Sequence, residues 1–164
     1  MYNPDQPETN ASGLHVALVV SRYHARITDA LYAAATECFQ SAGGCIENLE
    51  IVHTPGAFEL TAVCRAQAVR GEFDVVVALG CVISGETDHD RYIASAVATG
   101  LTMITVQTGV PIAFGVLTCR TLAQALARAG GDRGNKGAEA MAAAIETART
   151  LRGLRGLRRM QECP

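Results

Sequence analysis

His89 is the residue of this sequence best placed to move protons. It lies at the end of GCVISGETDHD (80–90), where an apolar run passes through Gly-Glu-Thr into a cluster of acidic side chains. An imidazole changes its charge near neutral pH, which suits a general acid or base. Thr87 and Asp90 have the spacing of a capping box, which predicts that a helix begins here with His89 in its first turn. The unpaired amides of such a helix end would also favour an anion beside His89.

The same stretch has two other interpretations. In the first, which spacing alone favours, the imidazole only caps or packs the helix and touches no ligand. In the second, His89 binds a metal ion together with Glu86, Asp88 and Asp90. Consecutive residues on a turn point in different directions and no second histidine lies nearby, so the metal site is the weakest of the three hypotheses.

A second group of basic residues lies downstream. The segment RAGGDRGNKG (128–137) has the pattern of a helix end, a glycine-rich loop and a helix start. It is not a Walker A motif, because Asn135 precedes Lys136 and a glycine follows it. An interhelical turn is the simplest interpretation. Arg128 and Lys136 are nevertheless suited to bind phosphate, the first through its planar fork and the second as a point charge.

Apolar runs and helical stripes alternate along the chain and define the elements that carry these residues. Near-continuous apolar strands are typical of a sheet covered on both faces. The repeated strand-then-helix order predicts an α/β sandwich with a mostly parallel sheet. Strands are predicted at 14–20, 46–52, 73–80, 103–109 and 112–118, and helices at 27–39, 57–69 and 92–100, followed by two Ala-rich helices.

Three loops of this predicted sheet are expected to converge. Ligands of open α/β sheets bind beyond the carboxyl ends of the strands, and the loops 21–24, 53–56 and 80–87 follow the first three strands. Each loop leads into a helix whose first backbone N–H groups lack intrahelical partners. The sequence therefore predicts one site at this edge of the sheet, and that site would accept an anion.

Composition limits the class of protein. The chain has 164 residues, of which 49% are hydrophobic and 18% charged, so we expect one core and a single domain. A net charge of −2 gives no basic footprint for nucleic acid or an anionic membrane. No apolar stretch has the length of a membrane span and the polar start lacks the pattern of a signal peptide, which favours a cytoplasmic protein. The six cysteines contain no CxxC pair and are expected to be reduced.

Five segments together resemble one enzyme family, lumazine synthase. They are the aromatic Tyr23 after the first strand, PGAFEL (55–60), ALGCVISGETDH (78–89), PIAFGVLT (111–118) and ALARAGGDRGNKGAEA (125–140), in the family's order and spacing. The resemblance implies a three-layer α/β/α sandwich with a mostly parallel, flavodoxin-like central sheet. It also implies a single domain at 14–152, between a flexible segment 1–13 and a basic tail 153–164.

The resemblance implies a transferase of riboflavin biosynthesis. This enzyme condenses 5-amino-6-(D-ribitylamino)uracil with 3,4-dihydroxy-2-butanone 4-phosphate and releases phosphate and water, without a cofactor or a metal. His89 matches the family's proton-transferring residue for Schiff-base formation, phosphate elimination and ring closure. The positions that match substrate-binding residues are Tyr23, Ala57, Phe58, Glu59, Cys81, Val82, Ile83, Glu86, Thr87, Phe114, Arg128 and Lys136.

The first group of matched positions corresponds to residues that bind the uracil substrate. By resemblance, Tyr23 stacks on the pyrimidine, the segment 57–59 holds the ribityl amine, and the Glu59 carboxylate accepts hydrogen bonds from ribityl hydroxyls. The main chain of 81–83 reads the uracil edge, so the side chain of Cys81 need not react.

On the phosphate side, the backbone of Glu86 and Thr87 and the side chain of Arg128 match phosphate-binding groups. Lys136 matches a nearby cation and Phe114 a ring that closes the pocket. In the family, the residues of the later segments complete a neighbour's pocket, so active sites lie between the subunits of a pentamer. The short GGDRGNKG connection is similar to that of members whose pentamers form a sixty-subunit icosahedral shell. We therefore expect a pentamer or such a shell, with riboflavin synthase as a candidate partner.

Some positions depart from the family pattern. Ser84 stands where members commonly have arginine, and Asp90-Arg91 replaces an aromatic-plus-acid pair. These departures leave two alternatives of another class: a flavin- or lumazine-binding module that has lost catalysis, and a shell protein whose main task is compartmentation. The histidine and the two basic residues favour the enzyme, because a shell needs none of them.

The C-terminal stretch TLRGLRGLRRMQECP (150–164) is basic. Its two glycines lower helix propensity, so we expect a frayed, solvated extension. The alternative is a segment that binds cargo or an anionic polymer.

Overall fold

Strands and helices alternate along the part of the chain that the computed structural model describes, residues 10–161. Four of the five predicted strands and all of the predicted helices are present. The predicted start of the second strand at 46 forms a 3-10 turn instead. In chain order the elements are β1 (Val16–Ser21), α1 (Ala25–Ser41), the 3-10 turn (Ile46–Asn48), β2 (Leu49–Thr54), α2 (Leu60–Val69), β3 (Val75–Ile83), α3 (His89–Thr108), β4 (Ile112–Cys119), α4 (Leu122–Ala127), β5 (Ala129–Gly131), β6 (Gly134–Asn135) and α5 (Lys136–Gln161).

The first four strands form one parallel sheet in the order β2-β1-β3-β4. Every residue of β1 is buried, as the continuous apolar run predicts for a central strand. The order is that of the first four strands of flavodoxin-like folds. It places β4 at one margin of this sheet, while β5 and β6 form a separate antiparallel hairpin.

Helices cover both faces of the sheet and make two apolar cores. On one face, α1 and α5 contribute Leu31, Phe39 and Ile145. On the other face, α2 and α3 contribute Leu60 and Leu101. The predicted three-layer α/β/α sandwich is therefore confirmed.

The strand predicted at 103–109 is wrong. These residues form the last turns of α3, which ends at Gly109 in the left-handed conformation, with a φ of 69°. Their β-branched side chains favour a strand locally. Val97, Leu101 and Ile104 nevertheless form one helical stripe that is buried in the second core. Tertiary packing therefore overrides local propensity in this segment.

The first described residues are packed against the domain. Ala11 is fully buried and Arg149 of α5 donates through Nε to the Asn10 carbonyl at 2.7 Å, so the end of the segment predicted to be flexible is packed. Residues 1–9 lie outside the described part.

At the other end, α5 continues through Gly153 to Gln161, where the glycines predicted a frayed extension. Arg155 donates through Nη2 to the Gly109 carbonyl at 2.8 Å, which attaches this part of α5 to the end of α3. Residues 162–164 are not described. Within residues 10–161, none of the helices combines the length and the hydropathy that a membrane span needs.

Candidate active site

A cavity of about 790 Å³ lies at the carboxyl ends of β1, β2 and β3, against the start of α3. We name this cavity the Tyr23 pocket. Its walls come from all three of the predicted loops, so these loops do converge on one edge of the sheet. The site residues predicted from the sequence that line it are Tyr23, Ala57, Phe58, Glu59, Cys81, Val82, Ile83, Thr87 and His89.

The loops after β1 and β2 are tied together through the main chain. Arg22 N donates to the Thr54 carbonyl at 2.9 Å, and Thr54 Oγ1 donates to the Gly56 carbonyl at 2.9 Å. Tyr23 is left 78% exposed, with its ring edge-on to that of His24 at 4.9 Å between centroids. An exposed ring at the mouth of a pocket offers an apolar face on which a heteroaromatic ring stacks.

The segment between β2 and α2 supplies a carboxylate. Ala57 is buried, whereas Phe58 and Glu59 are exposed. A Cβ atom on Gly56 would lie 3.0 Å from Glu59 Oε2, so the carboxylate folds back over this glycine. The Glu59 carboxylate is exposed, so its oxygens can accept hydrogen bonds from ligand hydroxyls.

The end of β3 presents backbone groups to the pocket. Pairing with β1 stops at Leu79, whereas pairing with β4 continues to Ile83. The edge of 81–83 that faces β1 therefore has N–H and C=O groups without a strand partner, which can read the edge of a planar ligand. Burial raises the pKa of the Cys81 thiol to about 12, and nearby Cys119 adds to the rise. The thiol is neutral at physiological pH and is a poor nucleophile.

His89 begins α3 and is exposed, so its predicted position in the first helical turn is confirmed. The predicted capping box is wrong. Asp88 is the N-cap residue and makes no side-chain hydrogen bond to the helix, so Thr87 does not occupy the cap position. Asp90 Oδ2 instead accepts a hydrogen bond from Ser84 Oγ at 2.7 Å. The first amides of α3 consequently remain available to a ligand.

Some lining residues were not predicted from the sequence. On α3, Tyr92, Ile93 and Ala96 line the Tyr23 pocket, and Tyr92 is 75% exposed. They lie three, four and seven residues after His89, which is the spacing of one helix face, so the position of His89 contained the signal. His24, Gly56 and Gly85 also line the pocket and lie in the three loops predicted as its walls, and the last lining residue is Asp90.

Four predicted site residues lie elsewhere. Glu86 is exposed and does not line the Tyr23 pocket, and Phe114 is a partly exposed residue of β4. Arg128 and Lys136 line a second cavity of about 250 Å³, together with Arg133. We name this second cavity the Arg128 cavity. Its remaining walls are Val116, Leu117, Thr118, Cys119 and Glu139.

The Arg128 cavity is built by the glycine-rich connection. Asn135 Oδ1 accepts from Gly137 N at 2.8 Å, and its Nδ2 donates to the Ala30 carbonyl at 3.1 Å, which fixes the start of α5 against α1. A Cβ atom on Gly137 would overlap the Leu31 backbone, so glycine is needed there. The interhelical turn predicted for this segment is therefore present.

The charges of the Arg128 cavity are partly compensated. Lys136 Nζ lies 3.0 Å from Glu139 Oε2, and both side chains are partly exposed. Arg128 Nη1 donates only weakly, at 3.4 Å, to the Gln124 carbonyl. Its positive charge lowers the pKa of the neighbouring Cys119 thiol, which burial raises more strongly. Arg128 thus has donors to spare for an anion.

A third cavity, of about 350 Å³, lies between the two sites at the ends of the strands and shares lining residues with both. It shares Val82 and Asp90 with the Tyr23 pocket and Thr118 and Cys119 with the Arg128 cavity. Within residues 10–161, no three histidine, cysteine or carboxylate side chains lie close enough to bind a metal ion together, so the metal alternative for Glu86, Asp88, His89 and Asp90 has no geometric support.

Two comparisons with known proteins agree. The family model described as 6,7-dimethyl-8-ribityllumazine synthase matches residues 13–152. The 6,7-dimethyl-8-ribityllumazine synthase of Lawsonia intracellularis (strain PHE/MN1-00) is 42% identical over 131 residues, which cover 80% of this chain and 83% of that protein. The protein of the same name from Chlorobium chlorochromatii (strain CaD3) is 44% identical over 131 residues, which cover 80% of this chain and 84% of its own length.

Proposed function

The chain belongs to the 6,7-dimethyl-8-ribityllumazine synthase family, and we propose that the family's reaction takes place in the Tyr23 pocket. The chain is accordingly an enzyme of riboflavin biosynthesis, a transferase that condenses 5-amino-6-(D-ribitylamino)uracil with 3,4-dihydroxy-2-butanone 4-phosphate. One observation carries the assignment to this pocket. A titratable imidazole, the free amides of a helix start and an unpaired strand edge all border a single cavity.

The uracil substrate fits the part of the pocket between β1 and β3. Its planar ring would stack on Tyr23 while its polar edge pairs with the unpaired backbone groups of 81–83. The ribityl chain would then extend towards Glu59, whose carboxylate accepts from its hydroxyls. This arrangement presents the amino group of the substrate towards the start of α3.

The phosphorylated substrate fits the start of α3. The first amides of a 20-residue helix lie there without capping side chains, and a phosphate group is stabilised by such donors and by the helix dipole. The backbone of Glu86 and Thr87 belongs to the same turn. The Glu86 carboxylate does not line the pocket, which limits its repulsion of the phosphate.

His89 would transfer protons in three steps. The primary amine attacks the ketone and the carbinolamine loses water to give an imine. Loss of the proton from the hydroxyl-bearing carbon 3 then expels phosphate from carbon 4, and the resulting enol becomes a ketone. The ribityl-bearing amine finally attacks this ketone and a second water leaves, which closes the ring. The imidazole can donate a proton to each departing oxygen and accept one from each attacking nitrogen. Orientation of the two substrates supplies much of the remaining acceleration, about 7 to 11 kcal/mol in well-oriented reactions.

We propose further that Phe114, Arg128 and Lys136 act in the pocket of a neighbouring subunit, in a pentamer or a larger shell. None of the three lines the Tyr23 pocket of their own chain. Phe114 is 40% exposed on the marginal strand β4 and Arg128 is exposed, so both can be offered to a second copy.

We propose a cytoplasmic location and riboflavin synthase as a partner that consumes the product. The five cysteines within residues 10–161 are free, which suits a reducing compartment. Co-purification with riboflavin synthase would test the partner.

The decisive experiment for the function mixes the purified protein with both substrates and follows lumazine absorbance and fluorescence. We expect formation well above the spontaneous reaction measured without protein. Binding of added product without faster formation would refute the enzymatic function. Light scattering on the same sample would distinguish a monomer, a pentamer and a shell.

A further inference from the structure

The turn that delivers His89 is anchored to the sheet through one serine. Ser84 N donates to the Cys119 carbonyl at the end of β4, at 2.9 Å. Ser84 Oγ donates to Asp90 Oδ2 in the first turn of α3, at 2.7 Å. Ser84 therefore joins the sheet to the helix, and the segment 85–89 lies between Ser84 and its bonded partner Asp90.

Little else fixes this turn. Asp88 makes no capping bond to the helix, and its ion pair with Arg91 is long, at 3.6 Å, with the two side chains 72% and 80% exposed. Exposed ion pairs of this kind contribute little to stability. Among residues 10–155, whose side chains the structure describes, the segment 84–91 makes these two side-chain bonds, and the bond between Ser84 and Asp90 is the short, charge-assisted one.

The acceptor of this bond also carries a charge into the site. Asp90 lines both the Tyr23 pocket and the third cavity. Its carboxylate lies in the same helical turn as the amides that face an incoming phosphate, and like charges repel. By donating to that carboxylate, Ser84 holds it beside the strand ends and partly offsets its charge.

We propose that Ser84 and Asp90 form a positioning pair that sets the 85–88 turn and the His89 imidazole for the phosphorylated substrate, and that the Asp90 charge limits phosphate affinity. The inference rests on the proposed function, because it concerns the same pocket. Neither residue reacts with the substrates. The pair acts indirectly: its hydrogen bond fixes the 85–88 turn, and the Asp90 carboxylate adds a negative charge to the pocket.

The experiment compares steady-state kinetics of the full chain with Ser84→Ala, Ser84→Thr and Asp90→Asn. We expect Ser84→Ala to lower kcat and to raise the KM for the butanone phosphate, each about fivefold, with the KM for the ribitylamino substrate within about twofold of the unmodified value. Ser84→Thr keeps the hydroxyl and should restore both parameters.

Asp90→Asn keeps an acceptor oxygen and removes the charge. It should lower the KM for the butanone phosphate and tighten inhibition by inorganic phosphate, each about threefold, with kcat retained. Ser41→Ala, an exposed serine at the end of α1, is the matched control and should change nothing.

Thermal unfolding of each variant separates a folding defect from a kinetic one. Ser84→Ala kinetics that match the unmodified enzyme, or a loss that Ser84→Thr does not reverse, would overturn the positioning pair. Weaker inhibition of Asp90→Asn by inorganic phosphate would overturn the role of the charge. Failure of the unmodified protein to form lumazine would instead overturn the proposed function, and the positioning pair with it.

Discussion

The Tyr23 pocket and the Arg128 cavity are lined by side chains of different chemistry. The described lining of the larger cavity, about 790 Å³, holds two imidazoles, two carboxylates and two tyrosine rings, and no lysine or arginine. The smaller one, about 250 Å³, is lined by two arginines and one lysine with a single carboxylate. A phosphate ester needs both sets of groups, because proton transfer and charge neutralisation are separate tasks.

The two cavities are built by different parts of the chain. The Tyr23 pocket is built by loops at the carboxyl ends of three adjacent strands, so a single chain supplies all of its described walls. The Arg128 cavity lies on the α1 and α5 side of β4, where the glycine-rich connection joins α4 to α5. The two meet either through the third cavity of one chain or across the interface between two chains.

The largest effect is expected for His89→Ala. We predict that kcat falls about 10²- to 10³-fold, because general acid–base help is lost while binding and orientation remain. The measurement is the rate of lumazine formation, with added free imidazole as a chemical rescue that should recover part of the loss. His15→Ala, which replaces an exposed histidine outside the three cavities, is the matched control. A rate equal to that of the unmodified enzyme would refute the proton-transfer role.

A smaller loss is predicted for Arg128→Ala. We expect kcat/KM for the butanone phosphate to fall about ten- to hundredfold, because a charge-assisted hydrogen bond to phosphate is removed. Substrate kinetics at varied butanone phosphate would measure it, and inhibition by inorganic phosphate should weaken in parallel. Arg65→Ala, an exposed arginine of α2, controls for a general loss of positive charge. If both variants behaved alike, Arg128 would not be a phosphate ligand.

Mixing His89→Ala and Arg128→Ala subunits would show whether the two cavities act together within one chain or across an interface between two chains. In co-assembled oligomers of His89→Ala and Arg128→Ala subunits, about a quarter of the shared sites should have both residues intact, so activity should recover to that fraction. Lumazine formation by co-expressed subunits, compared with each variant alone, would measure this. No recovery in oligomers that contain both subunits would show that the cations act within their own chain.

The smallest effect is expected for truncation after residue 152. The variant keeps Arg152, which binds Asp74 through two hydrogen bonds of 2.6 and 2.8 Å, and loses the exposed Leu154 and the bond from Arg155 to Gly109. We predict unchanged kcat and KM and a small drop in the unfolding temperature. Lost assembly in light scattering would show instead that the end of α5 is structural.

Most strands and the walls of the Tyr23 pocket could be predicted because they depend on residue patterns within short segments of the sequence. Continuous apolar runs identified four strands, and the rule that ligands bind at the carboxyl ends of parallel strands identified the pocket walls. Tyr92, Ile93 and Ala96 were missed, although they share a helix face with His89. The capping box was wrong because Ser84 competes for the Asp90 side chain, and that contact follows from where β3 ends.

Patterns in the sequence were enough to predict the alternation of strands and helices, the position of His89 at a helix start, and the family of the enzyme. Three features could be seen only in the folded chain: 103–109 is helical, Ser84 bonds to Asp90, and Arg128 and Lys136 lie in a different cavity from His89. Periodicity and spacing reflect interactions between residues close in sequence, whereas these three outcomes depend on which segments the packed sheet brings together.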